Sequence, residues 1–526
     1  MKAAAISVML VCIPLIKPAV VKAMEQHVAP LEFSLQPGQR QVVPLADTSG
    51  QYWHGELHSD SPVRLQLVDK HHNVLREFPL QSGRQSLHLV SDPAGQQLLL
   101  HSQTATKVQL TWRAKYPRID QKSTAPDEPL LQRIAQSAQT GADWRSAWIG
   151  LKQQGMPLKT ALSDGNYRVT FIYQGAKRNV RLLGGPSPDH DWLSPIAGTD
   201  LWYRSYIVPA STRLSYKLAP DVPDILAPAR AQRVAILATA QRDPLNSVVY
   251  PADETDPYQQ SSVLVLPKAP AQPGSDGNIS LKGAVDSFIL SSKLLGNSRT
   301  IAVYHSSNFV KGKPGNIRLL AFDGPKYQRH INTPAIVEYL SQQGLIPPVQ
   351  LVLIDPIDNE TRAAELPDNT NFGQMLTDEL LPLLQQKYGS RFAAADTILT
   401  GSSFGGLAAL QLAWRHPQIF GKVIAKSPSL WWDNRPQPPA GTYLLSERFL
   451  ASERLPLQVF ISAGIYESTH GGQGDKGILD GSRNLKDVLR AKGYQVTYRE
   501  YAAGHDYLAW RGALADGLIA LYSAAD

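Results

Sequence analysis

Cysteine is all but missing from this chain: one residue, Cys12, among 526. It lies in the N-terminal apolar stretch, so a chain cleaved after that stretch has no disulfide and no cysteine-based metal site. Bilayer-spanning runs are missing too. The apolar stretch Ala3–Ile16 contains Pro14 and is followed by Lys17 and Pro18, well short of the roughly 20 residues a span requires. Excess charge is small: the net charge is +7, and residues 1–23, with three lysines and no acid, account for all but +4. A surplus this slight argues against nucleic acid as a partner and is compatible with an anionic small molecule. Internal repeats and low-complexity tracts are absent.

What is present begins with the layout of an export signal. Lys2 precedes the apolar stretch, and Val21-Lys22-Ala23 offers compact residues at the −3 and −1 positions of a cleavage site. Val11 rather than a small residue precedes Cys12, which argues against a lipoprotein anchor. The expected mature chain is therefore residues 24–526, without a membrane span. Its lack of thiols suits a bacterial periplasm, with secretion to the medium as second choice.

The remainder, 43% hydrophobic and 18% charged with 39 prolines and 38 glycines, is long enough for two or three cores. Residues 24–117 contain alternating strands such as "VRLQL" and "VQLTW", separated by "DTSG", "KHHN" and "DPAG", and read as a small β-sandwich. His71 and His72 fall in one of these turns, without the spaced partners a metal site needs. Residues 118–268 open with an amphipathic pattern from Glu128 to Gln154, broken at Gly141, and continue as a second β-rich, sandwich-like domain. "LPKAPAQPGSDGN", Leu266–Asn278, has the composition of a linker, with residues 269–278 as the boundary. From 279 to 526 the apolar runs "RLLAF", "VQLVLID", "TILT", "KVIAKS" and "LQVFISAG" alternate with helical segments. That pattern predicts an α/β-hydrolase domain, a mostly parallel sheet with helices on both faces.

The run "TILTGSSFGGLAALQLAW" carries G-x-S-x-G between a strand and a helix, the layout of a nucleophile elbow. Gly401-Ser402-Ser403-Phe404-Gly405 makes Ser403 the middle residue and Ser402 a flank. A serine hydroxyl needs a base, and in this fold class the chain order is serine, acid, histidine. His416 falls on the helix of the elbow. Of the remaining downstream histidines, His505 in "AAGHDYLAW" follows an apolar-alternating run near the C-terminus, and His470 is the competitor. Glu467, at the end of "LQVFISAGIYE", is the expected orienting acid. Asp475 and Asp480 compete with it, and Asp506 is too close in sequence to His505. The oxyanion requires two backbone amides, one from Phe404 and one from the loop "AFDGPKY". Pro325 has no N–H, which leaves Gly324, Lys326 or a rearranged loop.

Taken together, "LLAFDGPKY", "LIDPIDNETRAAELPDNTNF", "LTGSSFGG", "KSPSLWW", "SAGIYE" and "GHDYLAWRGAL" resemble the enterochelin (enterobactin) esterase family. "LLGGPSPDHDWLSPIAGTDLWYRSYIVP" and "RDPLN" are similar to the N-terminal domain of the same family, so the resemblance runs from about Gln154 to Asp526. It does not reach residues 24–115. The family implies a serine esterase that cuts the seryl ester bonds of a cyclic dihydroxybenzoyl-serine trilactone, often with iron bound, and thereby releases the iron. The resemblance implies Ser403 as nucleophile, His505 as base and Glu467 as acid. It implies no cofactor and no resident metal, with a ferric or iron-free catecholate siderophore as substrate. Arg362 and Glu365 in "TRAAEL" match a family stretch near the site. Arg362 is a candidate contact for anionic catecholates, and an i,i+3 ion pair between the two is the alternative. Trp431 and Trp432 are candidates for stacking on catechol rings, with core packing expected for one of them. Trp510 is expected to pack beside the base loop.

Two other readings compete. One is an exported carbohydrate or feruloyl-type esterase whose first β domain binds sugar. The other is a non-catalytic ferric-siderophore-binding protein, a reading that Pro325 keeps open.

Overall fold

The structure is a computed structural model that describes residues 30–45, 52–78, 80–90, 96–116, 124–187, 190–222, 229–275, 279–439, 441–468 and 477–523. The expected signal segment, His470 and Asp475 lie outside these residues. Among the described residues no helix is long and apolar enough to cross a membrane. The chain divides into two compact units, residues 1–119 with 221–239, and residues 120–220 with 240–526.

The first unit is antiparallel β structure built around one long strand, Tyr52–Asp69. Its first half pairs with Gln81–Val90 and Thr106–Tyr116, and its second half with Gln96–His101 and Val74–Glu77. Alternation along the strand sends Val63, Leu65 and Leu67 inward, where they meet Leu87, Leu98, Leu100 and Leu110. His71 and His72 sit exposed at a turn, with His72 at φ 63°. The helix Ala229–Thr239 belongs to this unit and was not legible as a helix in the sequence.

The second unit begins with two helices, Pro129–Gln139 and Trp144–Lys152, parted at Gly141, whose φ is 74°. Two four-stranded antiparallel sheets follow. One contains Val180–Leu183, Arg213–Pro220, Ser261–Val265 and Val249–Tyr250, and the other Ser194–Pro195, Leu201–Pro209, Asn166–Gln174 and Leu158–Ala161. Phe171, Trp202, Val180, Leu214 and Leu264, drawn from both sheets, form a shared core. The stretch read as a linker is packed in its described part: Gln272 is buried and donates to the Leu508 carbonyl at 2.7 Å.

The rest of the unit is an eight-stranded sheet, numbered here in chain order. The strands are β1 (Asp286–Ser292), β2 (Asn297–His305), β3 (Ile317–Phe322), β4 (Val349–Ile354), β5 (Thr397–Ser402), β6 (Lys422–Lys426), β7 (Gln458–Gly464) and β8 (Gln495–Tyr501). Their spatial order is β1-β2-β4-β3-β5-β6-β7-β8, antiparallel at β1-β2-β4 and parallel from β4 to β8. Every residue of β3, β4 and β5 is buried. Leu320, Phe322, Val352 and Ile354 enter one core with Leu407 and Leu410 of the helix Phe404–Arg415. Leu319, Ala321, Leu351 and Leu353 enter the opposite core with Ile336, Leu514 and Leu518 from the helices Thr333–Gln342 and Tyr507–Tyr522. Burial on both faces is the reason these strands read as continuous apolar runs.

Candidate active site

The carboxyl end of β5 turns sharply into the helix Phe404–Arg415 at Ser403, whose φ of 57° and ψ of −123° are strained for a residue with a side chain. The turn is close enough that a Cβ on Gly401 would lie 2.3 Å from the Gly405 carbonyl carbon. Ser402 is buried at the strand end, whereas Ser403 is partly exposed. The segment after β6 holds the turn: Ser403 N–H donates to Lys426 O at 3.0 Å and Ser429 N–H to Ser403 O at 3.1 Å. The Ser403 and Ser429 hydroxyls are 3.2 Å apart. Phe404 opens the helix, so its N–H has no acceptor within the helix.

The next two strands carry the acid and the base. Glu467 follows β7 and is 4% exposed. One of its oxygens, Oε1, meets His505 Nδ1 at 2.5 Å. The other, Oε2, accepts from Gly464 N–H at 2.5 Å and from Ser427 Oγ at 2.8 Å. Ser427 Oγ in turn accepts from Trp510 Nε1 at 2.9 Å, and the Trp510 ring stands edge-on to His505 at 4.7 Å between centroids. Glu467 is thus fixed on both oxygens, and an imidazole bonded through Nδ1 has Nε2 left for chemistry. Of the competitors, Asp480 lies exposed in the first turn of the helix Ile478–Ala491, and Asp506 caps the helix Tyr507–Tyr522 by accepting from Ala509 N–H at 2.8 Å. His416 closes the far end of the elbow helix.

At the end of β3, Asp323 adopts φ 60° and starts a short turn, Gly324–Lys326. Lys326 N–H is already committed to Asp323 O at 2.9 Å. Gly324 N–H has no partner among the described residues, which makes it the available amide of that loop. The Asp323 carboxylate grips Arg362 through two bonds, to Nε at 2.6 Å and to Nη2 at 2.8 Å. Arg362 therefore does not pair with Glu365. Glu365 forms a buried ion pair with Arg299 at 2.7 Å and accepts from Asn297. Burial works against the charge on Arg362, but the Asp323 bonds outweigh it and raise the guanidinium above the ordinary arginine value. Nη1 of Arg362 has no partner among the described residues. Trp431 lies 5.7 Å from the Phe404 ring, beside the elbow, while Trp432 packs against the apolar core.

Residues 168–275 match the family described as "Enterochelin esterase, N-terminal", and residues 292–521 match "Putative esterase". The iron(III) enterobactin esterase of Dickeya dadantii is 30% identical over 425 residues, which span 74% of this chain and 94% of that one. The chain belongs to the enterochelin esterase family. The crystal structure of the ferric enterobactin esterase of Salmonella typhimurium superposes with a TM-score of 0.61 at 29% identity, covering 72% of this chain and 98% of that one. A Shigella flexneri enterobactin esterase crystallised in the presence of enterobactin gives 0.59 at 28% identity, covering 72% and 97%.

In this member of the enterochelin esterase family, several contributors were passed over in the sequence. Asp323 stands inside the quoted "AFDGPKY", and its charge opposite Arg362 was the available signal. Ser427 and Ser429 stand inside "KSPSLWW". Their contacts with Glu467 and Ser403 depend on how neighbouring strand ends align, which spacing alone does not convey.

Proposed function

We propose that this protein is a serine esterase that hydrolyses the seryl ester bonds of enterobactin-type catecholate siderophores, with the ferric complex as its natural form of substrate, and so releases iron. The observation that carries the reading is the placement of Ser403, Glu467 and His505 just beyond the carboxyl ends of β5, β7 and β8, with the acid bonded to the base at 2.5 Å. Family membership supplies the substrate class.

Ser403 Oγ attacks an ester carbonyl carbon while His505 Nε2 takes the hydroxyl proton. Glu467 keeps the Nδ1 proton in place and stabilises the imidazolium. The oxyanion accepts from Phe404 N–H and Gly324 N–H, so the proline at 325 removes no donor that the site uses. Collapse breaks the ester bond, and His505 returns its proton to the departing seryl oxygen. Water, deprotonated by His505, then attacks the acyl-enzyme and frees Ser403. Arg362, held charged by Asp323, offers its Nη1 donors to catecholate oxygens. Trp431 beside Phe404 offers an aromatic face to a catechol ring. In the cell, the N-terminal segment would direct the chain to the periplasm, where ferric siderophores arrive from outside.

The test is incubation of the mature chain, residues 24–526, with ferric and iron-free enterobactin, with products followed by mass spectrometry and Ser403→Ala alongside. Ring-opened or monomeric dihydroxybenzoyl-serine is expected from the parent and not from the variant, a loss of at least about 10³-fold. Turnover that survives in Ser403→Ala would remove the serine from its role. Hydrolysis of a simple aryl ester without cleavage of enterobactin would keep the serine esterase and overturn the substrate.

A further inference from the structure

One strand of the neighbouring β domain reaches the loops that carry both partners of Ser403. In Arg213–Pro220 the backbone groups of Leu214 face the paired strand Ser261–Val265, and those of Arg213 and Ser215 point the other way, toward the catalytic domain. Arg213 N–H donates to Ala502 O at 3.1 Å, and Ser215 N–H donates to Asp506 Oδ2 at 3.0 Å. The preceding residue, Thr212, has its hydroxyl 3.1 Å from that of Tyr466. Asp506 is the chain neighbour of His505, and Tyr466 is the chain neighbour of Glu467. Three residues of the run Thr212–Ser215 therefore hold the acid loop and the base loop in one register. The same domain also lines the loop from another side, since a Cβ on Gly504 would stand 3.8 Å from the Gly184 carbonyl oxygen.

We propose that Asp506 is a positioning residue, which with Thr212–Ser215 clamps His505 into line with Ser403 and Glu467 and makes the neighbouring β domain a working part of the catalytic apparatus. The proposal rests on the reading of Ser403 and His505 as nucleophile and base. Its physical content is that both oxygens of Asp506 are spent: Oδ1 on the cap of the helix Tyr507–Tyr522 and Oδ2 on the other domain. Among the described residues, no other bond from the segment between His505 and that helix reaches Ser215. A shift of the imidazole by a fraction of an ångström is enough to weaken proton transfer from Ser403 Oγ.

Asp506→Asn separates the two tasks. Asparagine is as good a helix cap as aspartate, so Oδ1 keeps Ala509. Its amide group must then face the Ser215 N–H, donor against donor, and the clamp opens. Kinetics are read on a small aryl ester, which is too small to need the β domain for binding, and on ferric enterobactin. The expected result is a roughly tenfold fall in kcat on both substrates, with KM for the aryl ester unchanged and the thermal midpoint lowered by no more than about a few degrees. An unchanged kcat on the aryl ester in folded Asp506→Asn overturns the proposal, as does a change confined to KM for the siderophore, which would make the contact a wall of the binding site. Should Asp506→Asn fail to fold, Tyr466→Phe decides, because it removes only the bond to Thr212: a fall in kcat of about threefold supports the clamp and parental kcat overturns it. Failure of the underlying reading looks different, as turnover of the aryl ester by Ser403→Ala or no turnover by the parent chain.

Discussion

Glu467 illustrates how much is decided by one carboxylate. Its two oxygens face three donors: His505 Nδ1, Gly464 N–H and Ser427 Oγ. Glu467→Gln keeps the size and removes the charge. If its amide group takes the place of Oε2, it confronts the Gly464 N–H. If it takes the place of Oε1, it donates to His505 Nδ1, which moves the ring proton to Nε2 and leaves no base for Ser403. The Gly464 amide cannot turn away, so the second arrangement wins. We expect kcat to fall by about 10³–10⁴-fold with KM little changed, measured on an aryl ester. A loss below tenfold would mean that the acid acts elsewhere.

At the level of elements, the two strand ends that carry nucleophile and acid share a requirement. Each has glycine at its last or next-to-last position, Gly464 in β7 and Gly401 in β5, because returning backbone passes where a side chain would be. A Cβ on Gly464 would lie 2.2 Å from the Ala503 carbonyl oxygen, two residues before the base, as one on Gly401 would meet the elbow. Gly464→Ala must push the base loop off the end of β7, and the Glu467–His505 bond with it. We expect a loss of stability of about 1–3 kcal/mol, and a fall in kcat larger than the same loss of stability elsewhere would cause. Urea unfolding and aryl ester kinetics on the variant check both. These elements were largely legible in sequence. Strands such as "TILT" and "LQVFISAG" are buried on both faces and therefore read as apolar runs, and G-x-S-x-G names its own turn. The antiparallel pair β1-β2 was not legible, because "DSFILSS" and "NSRTIAVYH" at the sheet edge mix polar and apolar residues. Nor was the helix Ala229–Thr239, which follows a proline-rich stretch and groups with a unit more than 100 residues earlier in the chain. The partner of Arg362 was missed for a similar reason, since Asp323 is 39 residues away and meets it only because β3 and β4 are neighbours.

At the scale of the whole molecule, the sheet contains a buried lysine that works against stability. Lys426, the last residue of β6, is fully buried, donates to Thr400 Oγ1 at 2.6 Å and lies 4.9 Å from the Tyr327 ring. Burial drives its pKa well below the ordinary lysine value. The unfolded chain holds a proton on this lysine up to about pH 10.4, whereas the native chain gives it up far earlier. Between those two points the unfolded state binds more protons, so stability rises with pH through that window and is lost as pH falls through the native value. Lys426→Met fills similar volume, carries no proton and leaves the Lys426 carbonyl to hold Ser403 N–H. Thr400 Oγ1 keeps its bond to Ile424 O at 2.9 Å. The variant should therefore melt a few degrees above the parent at pH 7, and the gap should narrow at pH 9.5 as the parent gains what the variant never lost. Thermal unfolding at the two pH values measures it. A gap that is equal at both would mean that Lys426 is paired and charged in the folded protein, and that the end of β6 beneath Ser403 carries a cation rather than a neutral amine.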